Sequence, residues 1–257
     1  MTDAALFWHP RRLLLTLLED ADCTLACAQT LALARAFEAE VTGILVEETS
    51  IHELAALTVC THVGAVTGRF QQLDATRLAA QAERRAALLR QQVEALEAEL
   101  GRRVAFRVLQ GGAVDSLREA KPHDLIFYTG SFSRLEDPEQ VAALLEAARQ
   151  SSGLLLQPPR QQWQEGPVIA LYRTAEVAER LLPVLQRLSG AAEIEQHLVG
   201  DTSEALTLGS LLATQRHARL LVVELDDRQA DEKWYRALRQ GMRRLNCPLL
   251  LINPHQQ

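Results

Sequence analysis

The stretch of sequence that decides the fold is a short apolar run, Asp124-Leu125-Ile126-Phe127-Tyr128. A continuous apolar run of this length is typical of a strand buried on both faces of a parallel sheet. A similar run, Arg219-Leu220-Leu221-Val222-Val223, follows 95 residues later, and Leu155-Leu156-Gln157-Pro158 is matched 96 residues later by Leu251-Ile252-Asn253-Pro254. Two nearly equal offsets indicate an internal repeat.

Outward from these runs, β-rich segments alternate with helical segments along the whole chain. The patterns predict strands at 12–18, 41–46, 104–109, 124–128, 153–157, 168–172, 194–199, 220–224 and 249–252. They predict helices from about 22 to 39 and at 74–100, 113–120, 138–150, 175–188, 202–217 and 230–244, with Gly101 ending the long helix as a C-cap residue would. Residues 49–72 have no clear period and predict a long loop with room for a short helix. Repeated β-α-β order implies a parallel sheet with helices on both faces.

The repeat divides the chain into two units. We predict a first domain over 1–159, a polar, proline-bearing linker over 160–166, and a second, shorter domain over 167–257. In the first unit, the first strand and the strand at 124–128 are 112 residues apart, counted from Leu13 to Leu125. In the second unit, the corresponding strands are only 52 residues apart, counted from Val168 to Leu220. The second unit therefore lacks the long loop, one helix and one strand. The predicted fold class is α/β, with two tandem, open, mainly parallel sheets.

Composition narrows the functional classes. The chain has 257 residues, 47% of them apolar, and a net charge of −6, which does not favour binding to nucleic acid. No signal peptide is evident, and no apolar run approaches the roughly 18 residues of a membrane span. Four cysteines without framework spacing are typical of reduced thiols. These features predict a cytoplasmic protein with no membrane insertion and no nucleic-acid partner.

Two segments carry a family resemblance. The first is Lys121-Pro122-His123-Asp124-Leu125-Ile126-Phe127-Tyr128-Thr129-Gly130, and the second is Asn246-Cys247-Pro248-Leu249-Leu250-Leu251-Ile252. With the strand-loop-helix opening at 12–38, they resemble the universal stress protein family in its tandem form, over nearly the whole chain. The resemblance implies two domains of the adenine-nucleotide α-hydrolase-like, Rossmann-like type.

The nucleotide-binding motif of that family is degenerate in this sequence. Members that bind ATP carry Gly-x2-Gly-x9-Gly-Ser/Thr after the fourth strand, where glycines let backbone N–H groups approach phosphate. Gly130 matches the first position, but the second falls on Ser133 and the last pair on Ala143 and Leu144. In the second unit the positions hold Leu225, Arg228, Leu238 and Arg239, without a glycine. The resemblance therefore implies that ATP binding is lost.

The acidic residue that the family places at the end of the first strand is also out of position. Leu18 occupies that place, followed by Glu19 and Asp20, and the second unit has Tyr172-Arg173 there.

Candidate binding residues in the first unit lie in two glycine turns. Gly111 and Gly112 precede a short helix and could cradle an anion, although a plain strand-to-helix turn would need the same flexible backbone. Thr129, Gly130, Ser131 and Ser133 follow a predicted strand, where open α/β sheets bind ligands, although an ordinary loop would look the same. Together these residues form the predicted nucleotide or anion pocket.

Metal and catalytic motifs are not evident. Cys23 and Cys27 are four residues apart, but metal sites with that spacing usually need two more ligands, which only residues 52–62 of the loop could supply. We therefore predict that these cysteines, like Cys247, are buried and that no metal is bound. The sequence has no nucleophile motif, no zinc motif and no phosphate loop, so we predict no catalytic residues.

Three functional hypotheses remain open. The first is a non-catalytic regulatory or interaction protein with no cofactor, in which residues 154–156 and 249–252 pair as edge strands and make an intrachain pseudo-dimer. The second is a sensor that binds ATP, another adenine nucleotide or an anion in the first unit. The third is an enzyme of the nucleotide-α-hydrolase type. The protein partner is unidentified, and a further homodimer is an open alternative.

Overall fold

The computed structural model describes residues 8–18, 22–47, 61–63, 70–72, 75–129, 138–157, 166–172, 174–199, 218–225, 236 and 247–253. Within them the strands are β1 Arg12–Leu17, β2 Glu40–Glu47, β3 Thr61–Val63, β4 Phe70–Gln72, β5 Ala105–Gln110, β6 Asp124–Thr129, β7 Gly153–Leu156, β8 Val168–Tyr172, β9 Ile194–Leu198, β10 Leu220–Glu224 and β11 Leu249–Ile252. The helices are α1 Cys23–Phe37, α2 Ala75–Leu100, α3 Ala113–Leu117, α4 Pro138–Gln150 and α5 Ala175–Ser189. The α/β alternation predicted from the sequence is confirmed.

Nine strands form one continuous sheet in the order β5-β2-β1-β6-β7-β11-β10-β8-β9. All neighbours pair in parallel except β7 and β11, which are antiparallel. The order reads outward from that antiparallel pair as β7-β6-β1-β2-β5 on one side and β11-β10-β8-β9 on the other. We call the β7–β11 pair the joint, and the strands on its two sides the first and second halves.

Helices cover both faces of the sheet. One apolar cluster packs α1, α2 and α5 on one face, and a second packs α3 and α4 on the other. Each cluster contains residues of both halves: Leu14 and Leu221 belong to one, and Phe127 and Val222 to the other. The core is therefore shared across the joint.

One element differs from the sequence prediction in kind. The segment 49–72, predicted as a loop, contains the antiparallel strands β3 and β4, in which His62 pairs with Gln71. The prediction missed them because three-residue strands are too short to show an alternating pattern.

The short helix α3 ends at Leu117 instead of near residue 120. After it, the N–H groups of Glu119 and Ala120 bond to carbonyls three residues back, which tightens the chain before Pro122. Because a residue before proline is disfavoured in the helical region, the helix cannot continue. The predicted helix 202–217 lies outside the described residues, as does 230–244 apart from helical Arg236.

A buried ion pair fixes the start of the two central strands of the first half. The Arg12 guanidinium donates to both carboxylate oxygens of Asp124, at 2.9 and 2.5 Å. Asp124 also accepts the N–H of Lys121 at 2.6 Å and is 2% exposed. Hydrogen bonding to Asp124 raises the pKa of Arg12 above its ordinary value, despite the opposing effect of burial. The pair therefore ties β1 to β6 and to the turn before it.

Helix ends follow the expected chemistry. The Asp22 carboxylate accepts the N–H of Leu25 at 3.1 Å and begins α1. Gly101, at φ 65°, follows α2 in the left-handed region that favours glycine, as predicted. Among the described residues, no helix has both the length and the apolar composition needed to cross a membrane.

Candidate functional site

The predicted pocket begins where β6 ends, at the carboxyl edge of the sheet. Thr129 is 4% exposed there, and its hydroxyl donates to the carbonyl oxygen of Thr16 at 2.9 Å. That bond links β6 to β1 and uses the hydroxyl proton of Thr129. Gly130, Ser131 and Ser133 lie outside the described residues, so this part of the pocket stays a prediction.

The glycine turn before α3 holds one of the chain's own carboxylates. The N–H of Gly112 donates to Oδ2 of Asp115 at 2.8 Å, and a Cβ added to Gly111 would lie 2.7 Å from the same oxygen. Arg118 approaches the other oxygen of Asp115 at 3.0 Å. The turn therefore needs Gly111 for the close approach of Asp115, and a negative charge stands where the predicted anion would bind. An anion site at Gly111 and Gly112 stays a prediction that this geometry does not favour.

The start of α4 lacks the features of a phosphate site. Its first residue, Pro138, has no N–H to donate, and Glu139 places a negative charge in the first turn. Gln140 donates instead to the Tyr128 hydroxyl at 3.0 Å, which ties α4 to β6.

The last two positions of the family's glycine motif fall inside α4 and not at its N-terminus. Ala143 and Leu144 are the sixth and seventh residues of the helix, where backbone N–H groups are already used by the helix. Leu144 is fully buried in the core, and Ala143 packs against it. Neither position can present a backbone donor to a ligand.

A cleft of about 630 Å³ lies near the carboxyl end of β2, and the sequence did not predict it. It is bounded by the start of α1, the end of β2 and the first five turns of α2, and it is lined by Asp22, Cys23, Thr24, Leu45, Val46, Glu47, Leu78, Gln81, Ala82, Arg84, Arg85, Leu88 and Gln92. The cleft forms because the two helices differ in length: α2 has 26 residues and α1 only 15.

The two helices run side by side, and their contacts show the overhang. Gln92 of α2 donates to Thr24 at the start of α1, at 2.9 Å, and Arg35 near the end of α1 bonds to Glu99. Residues of α2 before position 90 therefore extend past the beginning of α1. Leu88 is 54% exposed in this overhang. The sequence signal was the apolar stripe of α2, which continues to Leu78, beyond what α1 can cover.

The Cys23 thiol and the Arg85 guanidinium line this cleft, and Cys27 lies one helical turn further along α1. Arg85 donates to the carbonyl oxygen of Leu18 and contacts the Cys23 thiol. Burial raises the pKa of Cys23, and Arg85 partly opposes that rise. Burial also raises the pKa of Cys27 to about 11. Cys23 and Cys27 are half-buried, which corrects the prediction of burial, whereas Cys247 is fully buried as predicted.

No group of three or more histidine, cysteine, aspartate or glutamate side chains capable of holding a metal occurs in the described part of the chain.

Sequence comparison matches the chain to no family model and to no curated protein. Structure comparison finds proteins with a similar fold. A putative universal stress protein from Pseudomonas aeruginosa UCBPP-PA14 has a TM-score of 0.55 at 12% identity, covering 95% of this chain and 93% of its own. A functionally unknown protein from Pseudomonas aeruginosa PAO1 gives the same values. A universal stress protein from Archaeoglobus fulgidus DSM 4304 has a TM-score of 0.52 at 14% identity, covering 96% of this chain and 98% of its own.

These structures are similar to the chain across both halves and not only in one. At 12–14% identity the likeness concerns the fold and does not carry activity or ligands over. It agrees with the resemblance seen in residues 121–130 and 246–252. Over nearly all of its length, the chain has the fold of the universal stress proteins.

Proposed function

We propose that the chain is a non-catalytic regulatory or interaction protein of the stress-response type, built as an intrachain pseudo-dimer that has lost nucleotide binding. The observation that carries the proposal is the joint. Leu154, Leu155 and Leu156 of β7 lie opposite Leu251, Leu250 and Leu249 of β11, the pairing that the sequence predicted. An edge strand that two separate domains would expose is thereby covered within one chain.

Contacts around the joint come from distant parts of the sequence. The carbonyl oxygen of Ser152 accepts the indole N–H of Trp8 at 2.7 Å and the N–H of Asn253 at 3.0 Å. The Asn253 side chain donates to the carbonyl of Arg149 at 2.5 Å, at the end of α4. Trp8 also packs edge-on against Phe37, with 5.2 Å between ring centroids. The joint is therefore held by residues near both ends of the chain.

Loss of nucleotide binding is supported by the residues found where a phosphate site would need backbone N–H donors. Pro138 and Glu139 begin α4, Leu144 is buried in its middle, and Asp115 fills the glycine turn before α3. Two carboxylates and a missing N–H oppose an anion at these positions. A phosphate at either helix start would lie close to a carboxylate of the chain itself.

A ligand titration tests the proposal directly. We expect no change in the thermal midpoint or heat of mixing with ATP, ADP, AMP or a cyclic dinucleotide at millimolar concentration. A Kd of about 100 μM would stabilise the protein by about 1.4 kcal/mol at 1 mM ligand. A shift of that size with ATP, abolished in Gly130→Val, would contradict the loss of nucleotide binding.

A second candidate function, a small-ligand sensor, is favoured by the cleft beside α2. It combines apolar walls with charged side chains at the carboxyl edge of the sheet, where ligands bind in open α/β folds. Native mass spectrometry of the purified protein distinguishes the two functions. A co-purified small molecule, retained in wild type and lost in Leu88→Glu, would favour the sensor.

A further inference from the structure

Two thiols lie one helical turn apart at the start of α1. Cys23 is its first residue and Cys27 follows four positions later, and both are half-buried and reduced. Both pack against the same apolar cluster beneath α1 and α2. Side chains four apart on a helix are neighbours, with Cβ atoms about 5–6 Å apart. The two sulfur atoms can therefore meet at one point without a change in the backbone.

A disulfide does not suit this geometry. A disulfide needs Cβ atoms about 3.5–4.5 Å apart, closer than positions i and i+4 of a regular helix allow. A metal ion bridging the sulfurs relaxes that requirement, because two metal–sulfur bonds of about 2.3 Å place the sulfurs about 4.6 Å apart. The spacing thus suits an ion held between two thiolates better than a direct S–S bond.

We propose that Cys23 and Cys27 bind one soft metal ion of the Cu(I) class, in two-coordinate geometry, at the mouth of the cleft between α1 and α2. Thiolates favour soft ions such as Cu(I) and zinc; two sulfur ligands are sufficient for Cu(I), whereas structural zinc sites almost always have four ligands. The proposal is independent of nucleotide binding and of the proposed regulatory function.

The surroundings supply access and a neighbouring positive charge. Cys23 lines the cleft, so the ion has an entry path from solvent. A bis-thiolate Cu(I) complex carries one negative charge, and the Arg85 guanidinium already contacts Cys23. The other polar groups facing the site are Asp22 beside Cys23, Gln92 with its amide oxygen 4.0 Å from the Cys27 sulfur, and Glu47 and Arg84 in the cleft wall. Two arginines and two carboxylates leave the cleft neutral before the ion enters.

Binding releases two protons. Each S–H bond breaks as a Cu–S bond forms, both protons pass to solvent, and the oxidation state of copper does not change. A thiol with an ordinary pKa is mostly protonated at neutral pH. Below the pKa of both thiols, the apparent affinity should rise about 100-fold for each pH unit, because two protons compete with one ion.

The test is an anaerobic titration of the full chain with Cu(I), in competition with a chromogenic Cu(I) chelator, between pH 6 and 8. We expect one ion per chain, the two-proton pH slope, and at least 100-fold weaker binding in Cys23→Ser and in Cys27→Ser. X-ray absorption should show two sulfur neighbours of copper. Thermal midpoints, measured without metal, identify any variant that has lost its fold.

Matched controls separate this site from other thiols and other charges. Cys247→Ala should leave the affinity unchanged because that thiol lies in the core on the opposite face of the sheet. Arg85→Gln should weaken binding about tenfold, as losses of neighbouring partners typically do, whereas Arg84→Gln should change it less than threefold. A single-proton slope, more than one ion per chain, or equal loss of affinity in Cys60→Ser would overturn the two-thiol site.

Discussion

The two halves of the sheet match best beside the joint and least at the outer edges. On the first side the order outward is β7, β6, β1, β2 and β5, and on the second it is β11, β10, β8 and β9. Counting from the joint, four strands have counterparts, and β5 has none among the described residues. Within the part of the chain that the structure describes, the second half is thus a shorter copy without a counterpart of the outermost strand.

The repeat also changes its polar residues while keeping its apolar ones. Aligning β6 with β10 by the 95-residue offset puts Asp124 and Arg219 at one repeat position and Thr129 and Glu224 at another. The positions between them are apolar in both strands. The inner strands are buried on both faces, so most of their side chains are apolar. Polar residues at the strand ends act through individual partners and can differ between halves. The comparison shows that packing keeps the strands beside the joint apolar in both halves, whereas the polar residues at the strand ends differ between the halves.

The largest effect should follow from breaking the Arg12–Asp124 ion pair of the first half. Asp124→Ala leaves the guanidinium of Arg12, 20% exposed, without its carboxylate, and we expect a loss of about 3–5 kcal/mol in the free energy of unfolding. Urea denaturation measures it. An exposed pair, such as Arg35–Glu99, gives the control, and Glu99→Ala should cost less than about 1 kcal/mol. Equal costs would show that the buried pair has no special role.

The joint itself should be sensitive to a single methyl group. A Cβ on Gly153 would overlap the carbonyl oxygen of Leu251 on the opposite strand, so we expect Gly153→Ala to cost about 2–3 kcal/mol through strand displacement. Gly112→Ala is the matched control, because the nearest atom to its added Cβ is 3.6 Å away; it should stay within about 0.5 kcal/mol of wild type. If hydrogen exchange in Gly153→Ala rose only in the first half, the two halves would not depend on each other.

A smaller effect should appear in alkaline solution, with buried thiols in both halves contributing. Burial raises the pKa of Cys27 and of Cys247 to about 11, from a model-compound value of 9.0. Between these values the unfolded thiols ionise while the folded ones stay protonated, so stability is full below about pH 9 and falls as the pH rises to about 11. The loss should be about 1–2 kcal/mol for each thiol.

Urea midpoints of metal-free protein at pH 8 and pH 10.5 measure this loss. Cys27→Ala and Cys247→Ala should each reduce it, by similar amounts despite lying in different halves. An alkaline loss unchanged in both variants would assign it to other groups.

The sequence predicted the strands and helices that follow strong periodicity or continuous apolar runs. Leu125–Tyr128 and Leu249–Ile252 are buried throughout, so the burial of apolar side chains decides both strands. The pairing of Leu249–Ile252 with residues 154–156 was also predicted. The antiparallel register, Leu155 opposite Leu250, was not, because it depends on tertiary contacts such as those at Ser152.

The candidate site was less predictable than the fold. The glycines at 111 and 112 suggested an anion, but the sequence did not reveal that Asp115 would turn back onto them. The cleft arises from a mismatch in length between two helices that are far apart in sequence. Such features depend on relative placement, which local patterns do not encode. The predicted domain boundaries at 159 and 167 stay a prediction.

The most direct test of the central claim, that the joint unites the two halves into one structure, is scanning calorimetry of the full chain. Because both apolar clusters contain residues of both halves, the account predicts one transition whose calorimetric and van't Hoff enthalpies agree. Two resolved transitions, or a van't Hoff enthalpy near half the calorimetric value, would show that the halves unfold separately and would contradict the pseudo-dimer.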